Sequence, residues 1–163
     1  MGLHVFNGSQ DGLNVTYVYK IKGVGINYYK CIDSGGKWRW QYVVSPHYIK
    51  SDFLRSPVSS SVEEAHEWGI GLGIKGLVYI QDENIYAWSK VMTGPHHLSD
   101  APDRQIPGFM FSSQFLMGLG LKLKGDVSVE AYAGFRHVSN GEIRMPNGGI
   151  NNLYYGLGLV LNQ

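Results

Sequence analysis

The sequence has little of what marks several common classes of protein. It contains one cysteine, Cys31, so no disulfide can form within the chain. Charged residues make up 17% of the chain, against about 25% in a typical soluble domain. The net charge is +1 and the basic residues are not clustered, which argues against a nucleic-acid partner. No run of 18 apolar residues is present, which excludes a transmembrane helix.

What the chain does contain fits one compact domain spanning residues 1–163. Twenty-two glycines and 13% aromatic residues argue against both a coiled coil and a disordered chain. The first residues lack the charged and apolar regions of a secretory signal peptide. The first residues therefore fit either a cytosolic protein or the mature form of an exported protein. The remaining sequence distinguishes between the two.

Apolar residues alternate with other residues along most of the chain, which predicts strands with two different faces. The clearest apolar sets are Val127, Val129, Ala131, Ala133 and Phe135; Leu153, Tyr155, Leu157, Leu159 and Leu161; and Phe109, Phe111, Phe115, Met117, Leu119, Leu121 and Leu123. Weaker alternation runs through 13–22, 37–44, 68–74 and 86–90, and a short strand is expected near 3–6. Together these segments predict eight strands, and an even number closes an antiparallel barrel without free edges.

The connections between these strands alternate between short and long. Tight-turn residues occur at 34–36, 82–84 and 125–126, whereas the segments near 46–66, 93–107 and 140–150 are long. This asymmetry is typical of bacterial outer-membrane barrels, whose long loops face outside. We therefore predict an all-β, eight-stranded antiparallel up-and-down transmembrane β-barrel. A soluble lipocalin-like barrel, with its apolar face turned inward, is the alternative.

A histidine and a serine interrupt one of the apolar faces. His137 and Ser139 continue the odd-numbered face of the strand that begins near Val127, with Cα atoms about 6.6 Å apart. An imidazole at this spacing can activate a serine hydroxyl for acyl transfer. An antiparallel neighbour would bring Asn151 beside the pair, where it can orient the imidazole. The alternative is that both residues are simply polar groups at the edge of the hydrocarbon region.

A longer motif surrounds this pair. His137-Val138-Ser139-Asn140 is followed five residues later by Pro146-Asn147-Gly148-Gly149-Ile150-Asn151. This string resembles the lipid A 3-O-deacylase (PagL-type) family of outer-membrane enzymes. The segments 94–99 and 104–109 also look like the family's loop and fifth strand. The resemblance is specific over about residues 94–161 and only architectural before them.

The resemblance implies a serine esterase in the bacterial outer membrane, with its active site towards the outer leaflet. It implies removal of the ester-linked 3-O-acyl chain of lipid A, with Ser139 as the nucleophile and His137 as the base. Lipopolysaccharide and membrane lipids are then the expected partners, and whether the barrel dimerises stays open. This chain has Asn151 where the family pattern has Glu. A catalytically impaired or non-catalytic lipid-binding barrel is therefore the alternative function.

Other polar residues near the motif have two interpretations each. Asn140, Asn147 and the Gly148 amide are candidates for stabilising an oxyanion, although Asn-Gly pairs also form turns. Glu142 is a candidate substitute acid, or else a solvated loop carboxylate. This chemistry requires no metal or other cofactor. His96 and His97, with Asp100 and Asp103 nearby, do not predict a metal site, because adjacent histidines on a strand point in opposite directions.

Overall fold

The chain forms a closed barrel of eight strands in which each strand is antiparallel to the next, and β1 pairs with β8. The computed structural model describes residues 1–33, 38–81, 84–123 and 125–161. The strands are β1 (Gly2–Ser9), β2 (Tyr19–Asp33), β3 (Trp38–Leu54), β4 (Val62–Gln81), β5 (Ile85–Leu98), β6 (Gly108–Lys122), β7 (Val127–Ser139) and β8 (Ile150–Leu161). The predicted fold class is confirmed.

The outer surface of the barrel carries the apolar set of the alternating strands. Leu119 is 58% exposed and Leu157 is 57% exposed, and every strand contributes exposed apolar side chains to this surface. A soluble monomer does not expose contiguous apolar area on this scale, whereas a barrel in a lipid bilayer does. The lipocalin-like alternative is therefore wrong. No helix in the described ranges is long and apolar enough to cross a membrane.

The interior of the barrel combines apolar and polar side chains and contains two buried ion pairs. Glu67 accepts hydrogen bonds from Arg136 and from His96 Nε2, the latter at 2.7 Å. Lys75 pairs with Glu130 in a second ion pair. The side chains of Glu67 and Arg136 are each 1% exposed. Burying such charges is unfavourable unless they are compensated, so these pairs constrain which strands can close the barrel.

Four loops lie at the end of the barrel opposite the chain termini: 10–18, 55–61, 99–107 and 140–149. The expectation of a strand beginning at 13 is wrong, because the chain turns there and β2 begins at Tyr19. The Leu13 N–H donates to the Gln10 carbonyl at 3.0 Å, and the Gln10 side chain accepts the Tyr19 N–H at 2.8 Å. These bonds replace the strand ladder in the first loop.

The expected long segment at 46–66 is mostly strand. β3 has 17 residues and β4 has 20, although about 9–11 residues cross a bilayer. The extensions rise above the hydrocarbon region, where outward side chains are polar, as in the 2.5 Å ion pair of Lys50 with Glu64. The apolar alternation stops there while the strands continue, which is why the pattern indicated a loop.

Three short turns are predicted from the sequence. The one at 34–36, and residues 82–83 of the one at 82–84, fall outside the described residues. At the third, Gly125 has φ +77° with nothing within 4 Å of where a Cβ would lie. This left-handed conformation is one that glycine adopts without strain, in agreement with the turn predicted there.

Candidate active site

His137 and Ser139 lie on the outer face of the barrel at the loop end of β7. Arg136 and Val138, which alternate with them, are buried in the interior, whereas His137 and Ser139 are partly exposed. The strand's alternation therefore turns an imidazole and a hydroxyl towards the surroundings of the barrel. Phe135 continues the same outer face one step further from the loops.

Asn151 is the register partner of His137 across the β7–β8 pair. His137 Nδ1 lies 2.7 Å from Asn151 Oδ1. Because an amide oxygen only accepts hydrogen bonds, this contact places the proton on Nδ1 and leaves the Nε2 lone pair free. The structure thus brings together two residues that the sequence placed on facing strands, and the arrangement suits an imidazole acting as a base.

Tyr17 holds the backbone of Asn151. The Tyr17 hydroxyl accepts the Asn151 N–H at 2.6 Å and donates to the Asn151 carbonyl at 3.2 Å. Tyr17 comes from the first loop and is 6% exposed, so it ties that loop to the start of β8. The alternation in 13–22 predicts a strand at Tyr17 and does not reveal this role, since nothing in the local pattern pairs it with a residue 134 positions away.

Ser139 lies beside Phe111 of β6 and lines a surface depression of about 440 Å³ above the barrel wall. His137 and loop residues of 141–149 line the same depression. No hydrogen bond joins the His137 ring to Ser139 Oγ in the described part of the chain. Such bonds are often loose without substrate and shorten in the reacting complex.

Gly149 packs against the imidazole edge. Its φ is +64°, and a Cβ built on it would lie 2.8 Å from His137 Cε1. The glycine is therefore required both for the backbone conformation and for the approach of the ring.

The loop 140–149 is fixed by its own hydrogen bonds. The Asn140 N–H donates to Asn147 Oδ1 at 3.0 Å, and Asn140 Nδ2 donates to the Arg144 carbonyl at 2.7 Å. The Gly148 N–H donates to the Arg104 carbonyl at 2.7 Å. The backbone N–H of Asn140, one proton of its side-chain amide and the N–H of Gly148 are thus used within the loops. The Asn147 amide lines the depression and uses only its oxygen in these bonds.

Glu142 lies at the rim of the depression. Its φ is +64°, it is exposed, and it lines the depression together with His137 and Ser139. Nδ1 of the imidazole already contacts Asn151, so Glu142 does not occupy the position of a third triad member in this conformation.

Arg55 links the loops that surround the site. It donates to Asp100 Oδ1 at 2.9 Å and to the Ala101 carbonyl at 2.8 Å, and it also pairs with Glu63. The hydrogen bond from Arg55 lowers the pKa of Asp100, since it stabilises the carboxylate form. The same loop continues to Arg104, whose carbonyl accepts the Gly148 N–H. Hydrogen bonds therefore connect the 99–107 loop to the 140–149 loop.

His96 and His97, which precede the 99–107 loop, are not arranged as metal ligands. His96 points inward to Glu67, whereas His97 points outward and stacks on Trp68 with ring centroids 4.2 Å apart. Asp100 is engaged by Arg55. Within the described ranges, no group of three or more histidine, cysteine or acidic side chains is arranged to hold a metal ion.

The fold and the site together define a class: a transmembrane β-barrel with a histidine–serine pair on its outer surface. The family model for lipid A 3-O-deacylase (PagL) matches residues 12–159. The chain therefore belongs to the lipid A 3-O-deacylase (PagL) family. Membership supports a lipid A deacylase of the bacterial outer membrane.

A solved structure agrees with the architecture of this chain. The crystal structure of the outer membrane enzyme PagL matches with a TM-score of 0.69 at 15% identity, covering 98% of this chain and 99% of that chain. Ail of Yersinia pestis, solved in a phospholipid bilayer nanodisc, matches with a TM-score of 0.43 at 8% identity, covering 96% of each chain. No curated protein matches the sequence. At 15% identity, the structural similarity to PagL is evidence for the fold alone.

Proposed function

We propose that this protein hydrolyses the ester-linked acyl chain at the 3-position of lipid A, using Ser139 as the nucleophile and His137 as the base. The observation that carries the proposal is the contact of His137 Nδ1 with Asn151 Oδ1, which leaves Nε2 free, in an imidazole that lines the same depression as Ser139. In the membrane this pair faces lipid, and the loop end of the barrel corresponds to the outer leaflet. Lipid A would then reach the serine from within the bilayer.

The reaction follows from these positions. Nε2 takes the Ser139 proton while Oγ attacks the acyl carbonyl carbon, and the resulting oxyanion needs a hydrogen-bond donor. The Asn147 amide is the donor we favour among the three sequence candidates, because Asn140 is 1% exposed and does not line the depression, and Gly148 uses its N–H within the loops. The tetrahedral intermediate collapses as the bond to the sugar oxygen breaks, and the imidazolium of His137 gives its proton to that oxygen, which leaves as a hydroxyl. Water, activated by His137, then releases the fatty acid from the serine.

The apolar surface below the pair suits the acyl chain. Phe115 and Phe135 face each other across β6 and β7, and both are exposed on the outer face. Phe111 lies beside Ser139 on the same face. An acyl chain that descends from the serine would therefore contact aromatic rings.

The test is release of fatty acid from lipid A in detergent micelles, with mass spectrometry of the remaining lipid. We expect the wild type to remove one acyl chain and Ser139→Ala to be at least about a thousandfold slower. Ser89→Ala is the matched control, because Ser89 is also exposed on the outer face but lies on β5 nearer the termini. Cleavage by Ser139→Ala at the wild-type rate would refute the assigned nucleophile. A folded wild-type barrel that removes no chain would favour the non-catalytic alternative.

A further inference from the structure

Two further hydroxyl groups stand on the outer face, in line with the proposed site. Thr93 of β5 pairs in register with Ser113 of β6, Ser113 pairs with His137, and His137 pairs with Asn151. The four residues form one row across four strands. Thr93 Oγ1 and Ser113 Oγ are 3.0 Å apart, within hydrogen-bond distance.

These hydroxyls interrupt an apolar surface. Val91 and Phe115 precede and follow them towards the membrane, and both are exposed apolar residues. Each hydroxyl has one proton to donate, so a single bond between the two leaves one proton unused by the pair. An unused donor in hydrocarbon is unfavourable, and a local departure from the strand pattern is expected where a ligand binds.

The pair lies on the side of His137 opposite Asn151. Ser113 is the register partner of His137 on β6, and Asn151 is its register partner on β8. Strand spacings of roughly 4.8 Å and rises of roughly 3.3 Å per residue put the Ser113 and Ser139 Cα atoms about 8 Å apart. A lipid whose ester carbonyl lies at Ser139 Oγ would have the first carbons of its acyl chain over Ser113.

Building on the function proposed above, we propose that Ser113, held by Thr93, binds a hydroxyl group on the acyl chain close to the ester carbonyl. The pair then makes the protein selective for hydroxyacyl esters over plain acyl esters. Ser113 donates its proton to the chain hydroxyl while it accepts one from Thr93. A plain acyl chain has no hydroxyl group for Ser113 to bind, and the apolar neighbours on both strands provide no equivalent contact.

The experiment uses two synthetic glucosamine 1-phosphates in detergent micelles that differ only in the hydroxyl on the 3-O-acyl chain. We measure kcat and KM on both for the wild type, Ser113→Ala, Thr93→Val and the control Ser89→Ala. One neutral hydrogen bond predicts that the wild type favours the hydroxyacyl ester by about 5- to 10-fold in kcat/KM. Ser113→Ala should abolish this preference and leave the plain ester unaffected, which also shows that the variant is folded.

Three results would overturn the inference. The first is an unchanged preference in Ser113→Ala, and the second is an equal loss on both esters, which would indicate contact with another part of the lipid. The third is a wild type that cleaves both esters equally, which would leave the proposed esterase function intact. A wild type that cleaves neither ester, nor lipid A, would overturn the function and this inference together.

Discussion

Replacing Asn151 by aspartate tests the arrangement of the proposed site most directly. The two side chains have the same length, so a carboxylate oxygen in Asn151→Asp can keep the 2.7 Å contact with His137 Nδ1. The substitution adds a negative charge beside an imidazole that becomes positive during proton transfer. We therefore expect Asn151→Asp to be faster than the wild type.

The size of the gain follows from the hydrogen bond that already exists. In serine proteases, changing the triad aspartate to asparagine costs about 10⁴ in kcat, largely because the wrong histidine tautomer is stabilised. Here Asn151 presents its oxygen to Nδ1, so the productive tautomer is already favoured. Only the difference between a neutral and a charged hydrogen bond remains, which is about 1–1.5 kcal/mol. That difference corresponds to about a tenfold higher rate.

The assay is acyl-chain release from lipid A in micelles, with Asn151→Leu as the opposite variant. Asn151→Leu has a similar size but no acceptor for Nδ1–H, so we expect it to be slower than the wild type by about 10- to 100-fold. A rate for Asn151→Asp at or below that of the wild type, in a folded barrel, would contradict the proposed role. So would full activity in Asn151→Leu, because the imidazole would then need no partner on β8.

Two matched pairs of variants test the surroundings of the site and the barrel interior. Gly149→Ala should lower lipid A hydrolysis at least about tenfold, since its Cβ would displace the imidazole, whereas Gly125→Ala has a similar positive φ without neighbours and should keep activity. Equal activity in both would contradict the packing role. Glu67→Gln should destabilise the barrel by about 3–5 kcal/mol in urea unfolding in micelles, because it leaves a buried guanidinium uncompensated. Glu64→Gln, which breaks an exposed pair, should unfold like the wild type, and matching losses in the two variants would refute the argument.

The sequence predicted the part of the site that depends on regular alternation. On β7 the apolar set continues without a break to Phe135, so the outward direction of His137 and Ser139 follows from counting residues. The position of Asn151 needed only the pairing of two consecutive strands. Both arguments are local, because a strand repeats every two residues and neighbouring strands in a meander are adjacent in space.

The loops were less predictable, since alternation ends where both sides of a strand face water. The extensions of β3 and β4 carry outward charges such as Lys50, so the apolar pattern ends before the strands do. Tyr17 shows the second difficulty. Its hydroxyl is placed by closure of the barrel between β1 and β8, which brings the first loop beside the last strand. No local pattern encodes that contact.

Ser113 departs from the apolar pattern of β6, but the sequence alone does not explain the departure. The odd-numbered apolar set of β6 runs Phe109, Phe111, Phe115, and the gap at 113 is filled by a serine. His137 and Ser139 interrupt the apolar set of β7 in the same way, but the motif around them indicates a chemical role. The polar residue on β6 can be interpreted only from the strand register, because the register places Ser113 opposite His137 and beside Thr93. A polar residue within a lipid-facing stripe is therefore informative once its cross-strand neighbours are known.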